Sequence, residues 1–301
     1  MRSMRLLECV PNVSEGRDPD KIDAIAQEVR NTAGVRLLHV TSDPDHHRTV
    51  FTFIGEPEAV GRASLAMVRK ALELIDMRLH HGAHPRLGAV DVVPFVPIQG
   101  VTMEEAVSVA REVGRQLGEM GVPVYFYEEA ARVPERKDLP LIRKGEYEGL
   151  PQKLSDPRWK PDEGPDRFDP KVGASVVGAR FPLVAYNVNL RTTDLALAKE
   201  IAKKVRFKDG GFPHVRAMGV ELKEKGMVQV SMNLTNYRIT GVHTVFDFIH
   251  EEAVRHGVEI EESELIGLIP LQVVEDLLKH YLKCRGFSIH QIIEQRILEL
   301  E

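Results

Sequence analysis

Cysteine is nearly missing: the 301 residues hold two, Cys9 and Cys284, at opposite ends and without a CxxC spacing. That excludes a disulfide framework and predicts a reducing compartment, with Cys9 as buried filler in an apolar strand. No apolar run reaches the roughly 18 residues of a membrane span, and the stretch after Met1-Arg2-Ser3-Met4-Arg5 is too short for a signal peptide. A soluble, cytoplasmic protein without a membrane partner is expected. Basic charge is not in excess, since 40 Lys and Arg face 45 Asp and Glu for a formal net charge of −5. A broad nucleic-acid footprint is therefore excluded. Aromatics are 6% of the chain and no Lys-Gly-Phe-Gly-Phe pattern occurs, which sets aside an RNA-reading sheet. Anionic small substrates remain open wherever basic groups gather locally.

At about 150 residues per domain the length suggests two domains, each able to bury a core. Leu6–Val10 reads as a strand, followed by Asp18-Pro19 as N-cap and first residue of a helix carrying Ile22, Ile25 and Val29. Val35–Val40 and Arg48–Ile54 read as strands across the polar turn Ser42-Asp43-Pro44-Asp45-His46-His47, and about Glu58–Ile75 as a helix. Ala89–Val96 is expected at a sheet edge, because Pro94 and Pro97 lack ladder donors. Thr102 and Glu105 form a capping box for the next helix, and Val124–Tyr127 returns as a strand.

The second half repeats this order. It runs through a strand at Val184–Leu190, a helix at Asp194–Val205, a hairpin of Ala217–Leu222 and Val228–Asn233, a helix ending at Gly257, and a last strand at Val258–Leu268. Both halves fit βαββαβ, so the expected fold is α+β: two ferredoxin-like subdomains, 1–180 and 181–301, packed side by side, the second with a C-terminal helical tail. A doubly wound sheet is the rival, and the two antiparallel hairpins speak against it.

The run His80-His81-Gly82-Ala83-His84-Pro85-Arg86-Leu87-Gly88 gathers three imidazoles and a guanidinium where neither helix nor strand is regular. Gly82 weakens a helix and Pro85 extends the backbone at His84, so His84 is expected on a stiffened loop. The corresponding connection in the second half is almost absent, and loop length that a core does not need is where function tends to sit. His80 and His84 have i, i+4 spacing, yet His81 stands where a zincin places its Glu, and Gly82 and Pro85 spoil the helix. A lone general base fits better, and no metal is expected. Glu128–Gly178 is a long irregular segment with one short helix near Leu139–Lys144. Within it Gly164-Pro165-Asp166-Arg167-Phe168-Asp169-Pro170-Lys171-Val172-Gly173 mixes rigid turns, charges and a ring. An interdomain linker pinned by Trp159, the sole Trp, explains the same residues.

Leu7-Glu8-Cys9-Val10-Pro11-Asn12-Val13-Ser14-Glu15-Gly16, Arg48-Thr49-Val50, His84-Pro85-Arg86-Leu87-Gly88-Ala89 and Gly164–Gly173, in this order, resemble the glutamate formiminotransferase family, the amino-terminal part of formiminotransferase-cyclodeaminase. The resemblance covers nearly the whole chain. It implies a homodimer, folate bound between two subdomains, and transfer of the formimino group of N-formimino-L-glutamate to tetrahydrofolate. By position, the family's catalytic His falls on His84 and its folate-contacting segment on Gly164–Gly173; His80 also matches a family His, and His81 does not. At Leu38–Thr41 relatives carry acidic residues where this chain has His39 and Thr41, which puts an acidic partner for His84 from that strand in question. No cyclodeaminase domain is recognised, and Tyr281–Glu301 is similar to the start of the connection to it.

That reaction needs one proton removed from the attacking nitrogen and one delivered to the leaving nitrogen, and a His with the ordinary pKa of about 6.5 can do both. Glu8 and Asp45 are candidates for holding the amidine cation. Arg48, Arg86, Arg167 and Lys171 are candidates for substrate carboxylates. Asn12, Asn187, Asn189 and Asn233, which read as strand ends in both halves, are candidate folate donors or turn formers. The alternatives are folate-dependent formyl transfer, from N-formylglutamate or 5-formyltetrahydrofolate, and folate binding without catalysis.

Overall fold

The computed structural model describes residues 5–82 and 84–298. Its backbone contacts divide the chain into two compact units, one ending at Arg180 and the other starting at Phe181. Among the described residues no helix is long and apolar enough to cross a membrane.

The first unit opens with β1 (Leu6–Cys9) and β2 (Asn12–Val13), which lie between the same two neighbours. There follow α1 (Pro19–Arg30), β3 (Val35–Asp43), β4 (Arg48–Gly55), α2 (Pro57–Leu74), β5 (Val90–Gln99), α3 (Met103–Glu119), β6 (Val124–Glu128), α4 (Leu139–Arg143), α5 (Leu150–Ser155) and β7 (Ser175–Ala179). Local sequence sets these boundaries. The Asp18 side chain accepts from the Asp20 and Lys21 amides at the start of α1, and Thr102 and Glu105 close the expected capping box of α3. Across the sheet the order is β3, β4, β1 and β2, β5, β7, β6, with the last three parallel.

Period-2 alternation divides the strand residues between two cores. Leu7, Cys9, Phe51, Phe53 and Phe126 meet Ile25, Val60, Met67, Val113 and Leu117 from α1, α2 and α3. Each fully buried Phe contributes about 1.5–3 kcal/mol. Cys9 is part of this core, and burial pushes its thiol up to about 12, so it is packing and not chemistry. On the other face Val92, Tyr125, Tyr127 and Val176 meet Ile142, Leu150 and Leu154, with Trp159 packed against them. The Tyr125 hydroxyl donates to the Trp159 carbonyl at 2.6 Å, so Trp159 does pin its segment to a core.

Two expectations are corrected here. Ala89–Val96 is not an edge strand: β5 is paired on both sides. Its prolines fall where the ladder is already interrupted or ended. Pro94 faces the break between β1 and β2, where its carbonyl takes the Val10 amide, and Pro97 lies past the last β7 pair at Phe95 and Ala179. Nor is Glu128–Gly178 one irregular segment. It holds α4, the expected short helix, and also α5 and the start of β7, an interior strand. The short apolar run Ser175–Ala179 is the signal that identifies β7 as a buried parallel strand.

The second unit comprises β8 (Val184–Leu190), α6 (Leu195–Val205), β9 (Val215–Leu222), β10 (Met227–Leu234), α7 (Val242–Arg255), β11 (Ile260–Ile266), α8 (Leu271–Tyr281) and α9 (Ile293–Leu298). Its sheet runs β11-β8-β10-β9, every pair antiparallel. Both units thus carry βαββαβ, and both expected hairpins are present. Asn187 and Asn189 do not end a strand; they lie inside β8, where Asn189 donates to Glu262 at 3.0 Å.

Backbone contact joins the His-rich loop to the strand region around Gly173. Gly88 and Gly173 form an isolated antiparallel bridge, and a Cβ at Gly88 would run into the carbonyl oxygens of Val172 and Ala174. Gly88→Ala is therefore expected to cost about 1–3 kcal/mol, read as a lower denaturant midpoint at unchanged slope. A wild-type midpoint would show that this approach is not close in solution.

Candidate active site

The loop between α2 and β5 is tied down at several points. The Met77 amide donates to the Lys171 carbonyl at 3.0 Å, Ala89 to Val172 at 2.9 Å and Ala174 to Leu87 at 3.0 Å. Just after β2, the Ser14 hydroxyl donates to the Gly88 carbonyl at 2.8 Å. Gly82 lies against His46 in the Pro44–His47 turn, too close for any Cβ. His84 is thereby brought over the start of β4.

There Arg48 Nη1 lies 3.0 Å from His84 Nε2 and 3.3 Å from Asn12 Oδ1. Arg143 of α4 stands in the same region, paired with Asp91 of β5, whose second oxygen accepts the Leu87 amide at 2.9 Å. The Nε atoms of Arg48 and Arg143 are buried without a partner among the described residues. His84 does not keep the ordinary imidazole pKa. Burial, then the charges of Arg48, Arg143, His46 and Arg86, push it down to about 3.

Beside it runs a second network. Glu15 accepts backbone N–H bonds from Gly16, Arg17 and Asp18 and lies 3.1 Å from His47 Nε2. The His47 ring stacks on His80 at 4.3 Å. Both nitrogens of His80 are taken, Nδ1 by Arg86 Nε at 3.3 Å and Nε2 by the His47 carbonyl at 2.9 Å. Arg86, only 5% exposed, bonds Glu148 at 2.5 and 2.9 Å and Glu146 at 3.1 Å. Burial works against its charge, and these carboxylates more than offset that, so its pKa is raised.

The structure thus brings His84, Arg48 and Asn12 together, with Arg86 linked through His80. Val172 and Gly173, at the end of the Gly164–Gly173 segment, touch the same loop. Its other end lies apart, with Gly164 against Gly118 and Val122. Between them Arg167 is exposed, Phe168 rests on Tyr147 with ring centres 5.4 Å apart, and Lys171 Nζ reaches the Glu73 carbonyl at 3.5 Å. Asp45 is exposed next to His46, whose ring centre is 6.4 Å from that of His84. Glu8, on β1, faces Arg180; burial raises its pKa and Arg180 lowers it, with burial the larger effect. His39 bonds Thr41 at 3.0 Å. His81 is exposed. Among the described residues, the trio of potential metal ligands gathered within 4.8 Å is Glu200, Glu252 and His256 in the second unit. Lys204 already bonds both carboxylates, at 2.8 and 2.6 Å. Sequence reasoning missed Arg143, Asp91, Glu15 and His47. Asp91 and Glu15 lie in or beside quoted motifs, whereas nothing local marks Arg143.

Comparison with known proteins agrees across the chain. Residues 6–180 match the formiminotransferase domain, N-terminal subdomain, and residues 185–300 match the formiminotransferase domain. A glutamate formimidoyltransferase of Thermoplasma acidophilum is 46% identical over 297 residues, covering 98% of each chain. One from Streptococcus pyogenes serotype M1 is 42% identical over 296 residues, covering 98% of this chain and 99% of its own. The formimidoyltransferase-cyclodeaminase of Sus scrofa is 47% identical over 283 residues, which are 92% of this chain and 52% of that protein.

Glu15 offers a test of the supporting network. Burial disfavours its charge, but the backbone N–H bonds and His47 outweigh this and lower its pKa. Glu15→Gln is expected to cost about 1–3 kcal/mol at pH 7. A depressed native pKa makes the ionised-state contribution full above the unfolded value of about 4.3 and lost as pH falls through the native value. Denaturant midpoints of the two proteins should converge in acid. A constant gap down to pH 3 would count against the ionised carboxylate as the source.

Proposed function

The chain belongs to the formiminotransferase domain family, and from that premise we propose that it transfers the formimino group of N-formimino-L-glutamate to tetrahydrofolate, releasing L-glutamate, with His84 as the proton carrier. The observation that carries the reading is the half-buried His84 ring beside Arg48, with no carboxylate bonded to it among the described residues. Its depressed pKa keeps the imidazole neutral near pH 7, the form that accepts a proton. Tetrahydrofolate supplies the attacking amine. His84 takes the proton that this amine must lose and hands one to the departing glutamate nitrogen, so no net proton is consumed.

Both substrates carry carboxylates, and the buried, unpartnered Nε atoms of Arg48 and Arg143 suit an oxyanion. Arg48 has no carboxylate partner among the described residues, whereas Arg86 is committed to Glu146 and Glu148. Arg48 is thus the better candidate for a substrate carboxylate. For folate we propose the Gly164–Gly173 segment, supported by its contact with the His84 loop and by its Phe168 ring and Arg167 charge. The reading further takes the protein as a cytoplasmic homodimer acting in histidine degradation and one-carbon metabolism. It asks for no metal, since a proton carrier and positioned charges meet the demands of amidine transfer and both His80 nitrogens are already bonded.

His84→Ala should lower kcat by about 10²–10⁴ with folate affinity and folding little changed, and His81→Ala should do far less. Glutamate release from formiminoglutamate and tetrahydrofolate is the measurement; equal, mild losses at both positions would remove His84 from this role. Hydrogen exchange at 164–173 should slow when a folate is bound. Unchanged exchange at saturation would assign folate elsewhere.

A further inference from the structure

The lone pair with which His84 would take a proton is already in use. Arg48 Nη1 lies 3.0 Å from Nε2. A guanidinium has donors and no acceptor, so Nε2 is the accepting nitrogen and the ring proton sits on Nδ1. Arg48, in turn, is short of acceptors. Its Nη1 also reaches Asn12 Oδ1 at 3.3 Å, and its Nε is buried with no partner among the described residues. A half-buried guanidinium in this state should prefer a carboxylate, which can take two parallel N–H bonds, over an imidazole, which takes one. The ring is faced by Arg48 from β4, Arg143 from α4, His46 from the Pro44–His47 turn and Arg86 from its own loop. Nearby carboxylates are already bonded to other members of this group, Asp91 to Arg143 and Asp43 to His46.

We propose that Arg48 is a positioning residue that holds His84 idle until formiminoglutamate binds: a carboxylate of that substrate takes the Arg48 N–H groups, and Nε2 is released to accept the proton of the attacking amine. This rests on His84 being the proton carrier. The exchange moves hydrogen bonds only, so no proton is gained or lost until the amine attacks. It also answers a chemical difficulty. A ring pushed down to about 3, by burial first and by Arg48 second, is a poor base, and a carboxylate placed on Arg48 offsets the second of these. Basicity then rises when the donor substrate is in place, and the empty site does not trap a proton.

Formiminoglutamate without folate cannot turn over, so the ring can be followed by 15N NMR in the full-length protein with labelled histidine, His84 being assigned by its loss in His84→Asn. The free wild type should show an acceptor-type Nε2 and a titration midpoint well below the ordinary histidine range. Saturating formiminoglutamate should raise that midpoint by about one to three pH units. Arg48→Gln should start from the raised midpoint and no longer respond to formiminoglutamate. Its KM for formiminoglutamate should rise by about tenfold or more, and the acid limb of its kcat/KM profile should move with the free-state midpoint. A wild-type midpoint that does not move at saturation, or an Arg48→Gln midpoint equal to the free wild type, would overturn the gate. Failure of the proton-carrier reading looks different: His84→Ala would remain active while the coupling between Arg48 and His84 stayed measurable in the wild type.

Discussion

Everything at the site depends on how closely two backbone segments meet at Gly88. The Ala89 amide is spent on Val172, and the Leu87 carbonyl on Ala174, while the Gly88 carbonyl takes the Ser14 hydroxyl. Buried backbone groups need such partners, and here they come from both sides of one short loop. The loop that carries His84 and the end of the Gly164–Gly173 segment are therefore one piece of structure. A side chain at Gly88 would separate them, and with them the proposed base and the proposed folate contact.

On this frame charge is distributed unequally. Arg86 is bonded by two carboxylates, and Arg143 by Asp91, so their charges are largely answered within the protein. Arg48 is answered by an imidazole and an amide, both neutral. Opposite charges close together in a partly desolvated site attract far more strongly than in water, so the unanswered cation is where an anionic substrate gains most. The cost in the free protein falls on His84, whose protonated form would add another positive charge to that region.

Much of this architecture can be read from the residues. Asp18-Pro19 and the Thr102 and Glu105 pair mark helix starts by a local mechanism, and the alternation in Arg48–Ile54 marks a strand. β5 and β7 were harder. Pro94 reads as an edge because the break between β1 and β2 that it faces lies over 80 residues away in sequence, and β7 is only a short apolar run behind a long stretch of loops and short helices. The site divides the same way. His84 is visible because Gly82 and Pro85 make its backbone unusual. That Arg48 would be its neighbour follows from the pairing of β4 with β2 and from the tether of Ser14 to Gly88, which no local spacing encodes. Arg143 reaches Asp91 from 52 residues away, out of a segment that reads as loop.

The two histidine networks differ in a way that bears on function. His80 and His47 have their ring nitrogens occupied by groups that are themselves bonded, from Glu15 with its three backbone donors to Arg86 with its two carboxylates. A network satisfied to that extent resists rearrangement, and removing one member leaves buried groups unpaired. Among the described residues His84 is bonded to a single group, Arg48, that has a better acceptor available whenever a carboxylate enters. Rigidity and readiness are thus assigned to neighbouring imidazoles: the stacked pair holds the loop where it must be, and the ring four residues beyond His80 keeps one hydrogen bond that a substrate can exchange. A carboxylate of β3 bonded to Arg48 would occupy it permanently and remove that choice, but Asp43, the β3 residue paired with Arg48 in the ladder, is bonded to His46 instead.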